Sequence, residues 1–321
     1  MAGRWAKEVL ERGMSRRSFL KAAVAAAAVA VTGCVSASEP SITPVPSIIP
    51  SPTSTATQSR LVVTTDPDPA RLVDRALDAF GALPIKKDDR VFVKANFSFS
   101  RTVDQAASNH PQVLVRLMER CREAGASEVI AFDHTIDSSK LCLERSGIKA
   151  AVEKAGFTAI AVNSSSEYEE RQIDGPTLKK TRIARILKDA DVLINAPVVK
   201  SHGNTRLTAG MKNLMGVIDN RGAFHSSDLD GCIADLSYVI RPTLTVADAY
   251  RVLKSGGPNG GSPEDITHPQ QLIVGYDPVA VDSYAATLLG LTGNDIEHVV
   301  RAYQRGLGEI DLGKVNVQKV V

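Results

Sequence analysis

Lys200, His202, Lys212 and Asn213 fall within one stretch, NAPVVKSHGNTRLTAGMKNLMGVI, that begins as an apolar strand and turns abruptly polar. Lys200 and His202 lie two apart, so an extended backbone turns them to one side. Lys212 and Asn213 sit where LTAGMKNLMGVI reads as a helix start. Two ammonium groups beside an early helical turn suit a phosphate or a carboxylate. Lys94 and Asn96 end another buried strand, and a lysine there either snorkels to solvent or meets an anion. Lys94, Asn96, Lys200, Lys212 and Asn213 are therefore the expected ligand-binding groups. His202 and His225 are the expected catalytic residues, because an imidazole exchanges protons near neutral pH.

His and carboxylate side chains on separate loops also suit a divalent ion such as Zn, Mn or Fe. Asp248 and Asp277 are the carboxylates that would hold such an ion or orient the histidines, with Asp282 one turn along the helix after Asp277. Asp277, followed by Pro278, equally suits an N-cap. SGGPNGG, residues 255–261, lacks the spacing of either nucleotide-binding fingerprint and reads as a turn or a flap. Cys232 reads as a small buried hydrophobe or, alternatively, a nucleophile. With Cys34, Cys121, Cys142 and Cys232 as the only cysteines and no CxxC, no cysteine-ligated iron–sulfur cluster and no disulfide framework is expected.

The elements that must position these groups alternate short β-rich runs with helical patterns, the mark of an α/β domain. Strands are expected over 91–97, 128–133, 158–162, 191–199, 244–249 and 271–276. HPQVLVRLMERCREAG and DPVAVDSYAATLLGL carry a helical period, and LDGCIADLSYVI reads as a further helix before Arg241-Pro242. The expected fold is one large α/β domain over 60–321, with a mostly parallel sheet and helices on both faces. Ligands of such sheets bind beyond the carboxyl ends of the strands. Five of the expected strands end in charged residues, at Lys94, Asp133, Lys200, Asp248 and Asp277. If parallel, they converge on one edge.

Before this domain, Arg16-Arg17-Ser18-Phe19-Leu20-Lys21 precedes an alanine-rich apolar run too short to span a bilayer. This resembles a twin-arginine (Tat) export signal over residues 1–33. The run ends in Val31-Thr32-Gly33-Cys34, similar to a lipobox, so Cys34 is the expected lipidation site and bilayer anchor. Residues 34–59, rich in Ser, Thr and Pro, read as a disordered tether. The expected location is the outer face of the cytoplasmic membrane or the periplasm. Removing residues 1–33 takes away six Lys/Arg and two acids, so 38 and 36 become 32 and 34 and the net charge goes from +2 to about −2. No basic field argues for nucleic acid.

The stretches VKANF, HPQVLVRLMERCREAGASEV, NAPVVKSHGNTRLTAGMKNLMGVI, IRPTLTVADA, GGPNGG and VGYDPVAVDSYAATLLGL, in this order and with His225 among them, resemble the domain of unknown function 362 family. That resemblance implies an α/β fold and no particular reaction. The chain departs from the ferredoxin-fused members in lacking their clustered cysteines, so the resemblance does not carry their electron-transfer role over to it. The expected function is an exported, membrane-anchored protein whose Lys/His/Asp crevice binds, and in one reading acts on, a small anionic ligand. The other reading is a non-catalytic surface lipoprotein that binds a ligand or cofactor.

Overall fold

The computed structural model describes residues 59–321. Arg16, Arg17, Cys34 and all but the last residue of the tether lie outside the described residues. Among the described residues thirteen strands follow in chain order: β1 (Arg60–Thr65), β2 (Arg90–Lys94), β3 (Glu128–Asp133), β4 (Thr158–Ala161), β5 (Tyr168–Gln172), β6 (Lys180–Ala184), β7 (Val192–Asn195), β8 (Val198–His202), β9 (Arg206–Thr208), β10 (Leu244–Leu253), β11 (Ile266–Thr267), β12 (Gln271–Gly275) and β13 (Asn316–Val320). The main sheet runs β13-β1-β12-β10-β7-β2-β3-β4, and β5 and β6 form a separate hairpin. Pairs β13–β1, β10–β7, β7–β2, β2–β3 and β3–β4 are parallel. Only β12 is reversed along this path, pairing antiparallel with both β1 and β10.

Nine α-helices accompany the strands: α1 (Pro69–Phe80), α2 (Pro111–Glu123), α3 (Ser139–Arg145), α4 (Ile148–Lys154), α5 (Gly210–Asn213), α6 (Arg221–His225), α7 (Leu229–Val239), α8 (Pro278–Thr287) and α9 (Glu297–Gln304) are those among the described residues. Alternation along the strands shows why they cover both faces. Val62, Val91 and Val93 pack into one core with Leu72, Val73, Leu114 and Leu117 from α1 and α2. Their neighbours Leu61, Val63 and Phe92 pack into the other with Ile233, Val279 and Val299 from α7, α8 and α9. A strand buried on both faces reads as a continuous apolar run, as these do.

Two expected elements differ in extent. The strand over 191–199 is broken at Ala196-Pro197 into β7 and β8, because a proline cannot supply a ladder N–H. The strand starting at Leu244 continues to Leu253, and β8 pairs beside it with a shift in register after Asp248. The 255–261 loop contributes Pro258 to the lining of the cavity described below, as a flap would.

Candidate functional site

The carboxyl ends of β2, β3 and β8 meet the segment from α5 to α6 around a small cavity of about 70 Å³. Asn96, Asp133, Lys200, His202, Lys212 and Asn213 line it, joined by Arg221 and His225. Six of the seven expected ligand-binding and catalytic residues therefore line one cavity.

The seventh, Lys94, is held differently. Its side chain is fully buried and its Nζ lies 2.8 Å from Asp133 Oδ1. It also donates to Ala95 O at 2.6 Å and to Asn213 Oδ1 at 3.3 Å. Burial pulls this ammonium below its ordinary pKa, while the Asp133 charge opposes that. Lys94 is thus already neutralised and does not line the cavity. Asp133 is a hub that also accepts from Phe97 N at 2.9 Å, Ser98 Oγ at 2.8 Å and His134 N at 2.8 Å. Gly216 covers the pair so closely that a Cβ there would lie 2.3 Å from both Asp133 Oδ1 and Lys94 Cε.

The cations that face the cavity have no such partner. Lys200, 1% exposed, donates to Asn96 Oδ1 at 3.0 Å and Ala107 O at 2.5 Å, both neutral acceptors. Burial, opposed by Asp133 and reinforced by the Lys212 and Lys94 charges, pushes its pKa down to about 7. Lys212, 8% exposed, reaches only the thioether of Met215 at 3.4 Å. Burial and the nearby Arg221 charge bring it down to about 8. Arg221, partly buried, donates to the His134 carbonyl and at 3.5 Å to Ser98 Oγ, and its buried Nε has no partner.

Two amides fix this arrangement. Asn213 Nδ2 donates to Lys94 O at 3.0 Å and Asn195 Oδ1 at 2.8 Å, and Asn213 Oδ1 accepts from Asn96 Nδ2 at 2.9 Å. Asn96 Oδ1 in turn accepts from Lys200. Both amides are spent on positioning, which buried polar groups require. Asp282, fully buried on α8, accepts from Gly210 N at 2.6 Å and Met211 N at 3.0 Å and so anchors the start of α5, which carries Lys212. Burial raises its pKa to about 6.

His202 Nδ1 accepts from Asn204 N at 3.1 Å and Thr205 N at 3.3 Å, which leaves Nε2 to carry the ring proton. The His202 and His225 rings lie nearly parallel, 6.1 Å apart. Burial, then the Lys212, His225 and Lys200 charges, push His202 down to about 3, and burial with Lys212 and Arg221 lowers His225. This environment favours a neutral His202 ring near neutral pH and brings the Lys200 and Lys212 ammonium groups down toward that range.

Asp248 and Asp277 lie elsewhere. Asp277 ends β12, the reversed strand, so it sits at the opposite edge of the sheet. There it caps α8 through Val279 N and Ala280 N, both at 2.9 Å, and accepts from Glu309 N at 2.8 Å. Asp248 is in the middle of β10 and accepts from His110 N at 2.8 Å and Tyr250 N at 3.0 Å. The expected joining of Asp248 and Asp277 with the histidines is therefore not what the fold makes. Among the described residues no three His, Cys, Asp or Glu side chains gather in a set suited to a metal ion. Cys232 is 3% exposed with its thiol pushed up by burial, in keeping with a packing role.

Asp133 and Arg221 were not among the expected site residues. The signal for Arg221 was present, since it stands four residues before His225 and so on the same helical face. Asp133 was visible as a charged strand end, but not as the partner of Lys94.

Residues 91–287, which carry every residue lining the cavity, match the domain of unknown function DUF362. The chain belongs to this family. The thylakoid-associated protein sll1697 of Synechocystis sp. is 21% identical over 190 residues. The match covers 57% of this chain and 58% of that protein, so the chain spans little more than half of its relative's length. Among solved structures, a Thermotoga maritima protein is similar at a TM-score of 0.47 with 13% identity, over 70% of this chain and 59% of its own. The lactate racemase apoprotein from Thermoanaerobacterium thermosaccharolyticum is similar at a TM-score of 0.42 with 14% identity, over 67% and 54%.

Proposed function

We propose that this DUF362 protein binds a small oxyanion, a phosphate or a small carboxylate, in the cavity between β2, β3, β8 and α6. One observation carries this reading: Lys200, Lys212 and Arg221 face one cavity without a carboxylate among their partners. An unpaired buried ion costs a fold several kcal/mol, and the Asp133 carboxylate in the lining, already paired with Lys94, offsets only part of that cost for three cations. A bound anion offsets the remainder. Lys212 and Arg221 supply charge, and the Lys200 amine and the His202 Nε2–H supply further N–H groups. Asn96, Asn213 and Asp282 hold these groups in place. In the protein's setting, Arg16 and Arg17 direct Tat export and the lipidated Cys34 anchors the domain at the outer face of the membrane.

Thermal melting with inorganic phosphate and with small carboxylates, against sodium chloride at matched ionic strength, tests the site. Phosphate or a carboxylate should raise the melting temperature with a saturable dependence, as ligands of the native state do. Lys212→Met should remove most of that rise. Equal shifts from chloride, or an unchanged response in Lys212→Met, sink the proposal. Export is tested separately: Arg16→Lys with Arg17→Lys should retain the protein in the cytoplasm, and Cys34→Ala should release it from the membrane fraction.

A further inference from the structure

Lys94 and Lys200 form an internal comparison, because both are buried strand lysines of the same site. Lys94 Nζ has three acceptors, one a carboxylate oxygen, and that set suits an ammonium with its three N–H groups. Lys200 Nζ has two hydrogen-bond acceptors, Asn96 Oδ1 and Ala107 O, and both are neutral. Its other neighbour is the face of the Phe99 ring, 5.5 Å from Nζ to the centroid. Two acceptors match the two N–H groups of a neutral amine and leave its lone pair free. Lys200 lines the cavity and Lys94 does not.

We propose that Lys200 is a nucleophilic amine that condenses with the carbonyl group of a small 2-oxo carboxylate, whose carboxylate Lys212 and Arg221 hold. This inference rests on the oxyanion site proposed above and assigns its ligand class. Desolvation beside other cations is a known way to activate a lysine for such chemistry, and burial, with Lys212 and Lys94 nearby, acts on Lys200 in that direction against the opposing charge of Asp133. The Nζ lone pair attacks the carbonyl carbon and a C–N bond forms. The C=O π pair moves to oxygen, which takes one proton from the nitrogen to give a carbinolamine. The hydroxyl then departs with the second nitrogen proton as water, leaving C=N. One water is released and nothing is oxidised or reduced. His202, in the same cavity, is the neutral N–H donor available to the carbonyl oxygen.

The full chain is incubated with pyruvate or glyoxylate and sodium cyanoborohydride, then read by intact mass and peptide mapping. The expected result is one reduced adduct on Lys200, formed at least about tenfold faster than on any surface lysine. Inorganic phosphate should slow it by competing for the cavity. Lys212→Met should slow it while leaving the adduct on Lys200. An adduct spread over surface lysines, or none on Lys200, overturns the inference. If phosphate still raises the melting temperature in that case, the oxyanion site stands and only the imine fails; if it does not, both fail. Mapping uses the unaltered protein, so the outcome does not depend on whether Lys200→Met folds.

Discussion

Lys200→Met should change sign in its effect on stability as pH is raised. Folded Lys200 releases its proton near pH 7, whereas an ordinary lysine holds it to 10.5. Between those values the unfolded chain binds more protons, so the Lys200 contribution to stability rises with pH. Below pH 7 both states hold the proton and the destabilisation is complete; above 10.5 it has vanished. At about 1.4 kcal/mol per pH unit over the span from 7 to 10.5, the full destabilisation is on the order of 5 kcal/mol. Methionine has similar length and no charge, so it removes that term at every pH. It also leaves Asn96 Oδ1 and Ala107 O without their donor, a loss of about 1–3 kcal/mol. The variant should therefore be more stable than the parent by roughly 2–4 kcal/mol at pH 6 and, with about 1 kcal/mol of the parent's penalty still present, less stable by up to about 2 kcal/mol at pH 10. Urea unfolding of both proteins at each pH measures this directly. A variant less stable by the same amount across the range would refute the reasoning, because it would mean that Lys200 is an ordinary, charge-satisfied structural lysine.

The remaining expectations follow the same contrast between paired and unpaired charge. Asp133→Asn strands the Lys94 ammonium at a fully buried position and should cost about 3–5 kcal/mol, with Lys94→Met in the same chain recovering most of it. Urea midpoints of the single and double variants decide. Gly216→Ala should lower stability by about 1–3 kcal/mol through overpacking against Asp133 and Lys94, read as a drop in melting temperature. Asp282→Asn turns an NH2 toward one of the two backbone N–H groups it now accepts from, and should cost about 1–3 kcal/mol. Because α5 carries Lys212, the phosphate-induced rise in melting temperature should shrink in that variant as well.

Much of the fold was legible because its strands are buried on both faces and therefore stand out as apolar runs; β3 is found over the residues expected, Glu128–Asp133. The strand β1 and the edge strand β13 were not foreseen. β13 is mostly exposed, with the pattern of a polar loop, and its pairing with β1 joins opposite ends of the domain. The candidate site was legible wherever a charged residue ends a strand that runs with the majority, as at Lys94, Asp133 and Lys200. It failed at Asp277 for a reason that local sequence does not carry. Direction is a property of pairing, and β12 is reversed between β1 and β10. The same apolar run followed by aspartate reads identically in either direction, yet one direction builds the cavity and the other caps a helix.

The division of labour among the lysines was hidden for a related reason. Lys94 and Lys200 each follow a hydrophobic strand and are equivalent in sequence. They differ only because β3, the parallel neighbour of β2, ends in Asp133, whose carboxylate lies 2.8 Å from Lys94 Nζ. On its far side β8 pairs with β9 and β10, and no carboxylate from either is among the hydrogen-bond partners of Lys200. Charge balance therefore follows strand order. The sheet that neutralises one lysine leaves the other unpaired beside a cavity, and a fold that served stability alone would have no use for that imbalance. An unmet buried amine costs stability that hydrophobic packing must supply elsewhere, in two cores that fill both faces of the sheet. The anion proposed for the cavity would redress that imbalance.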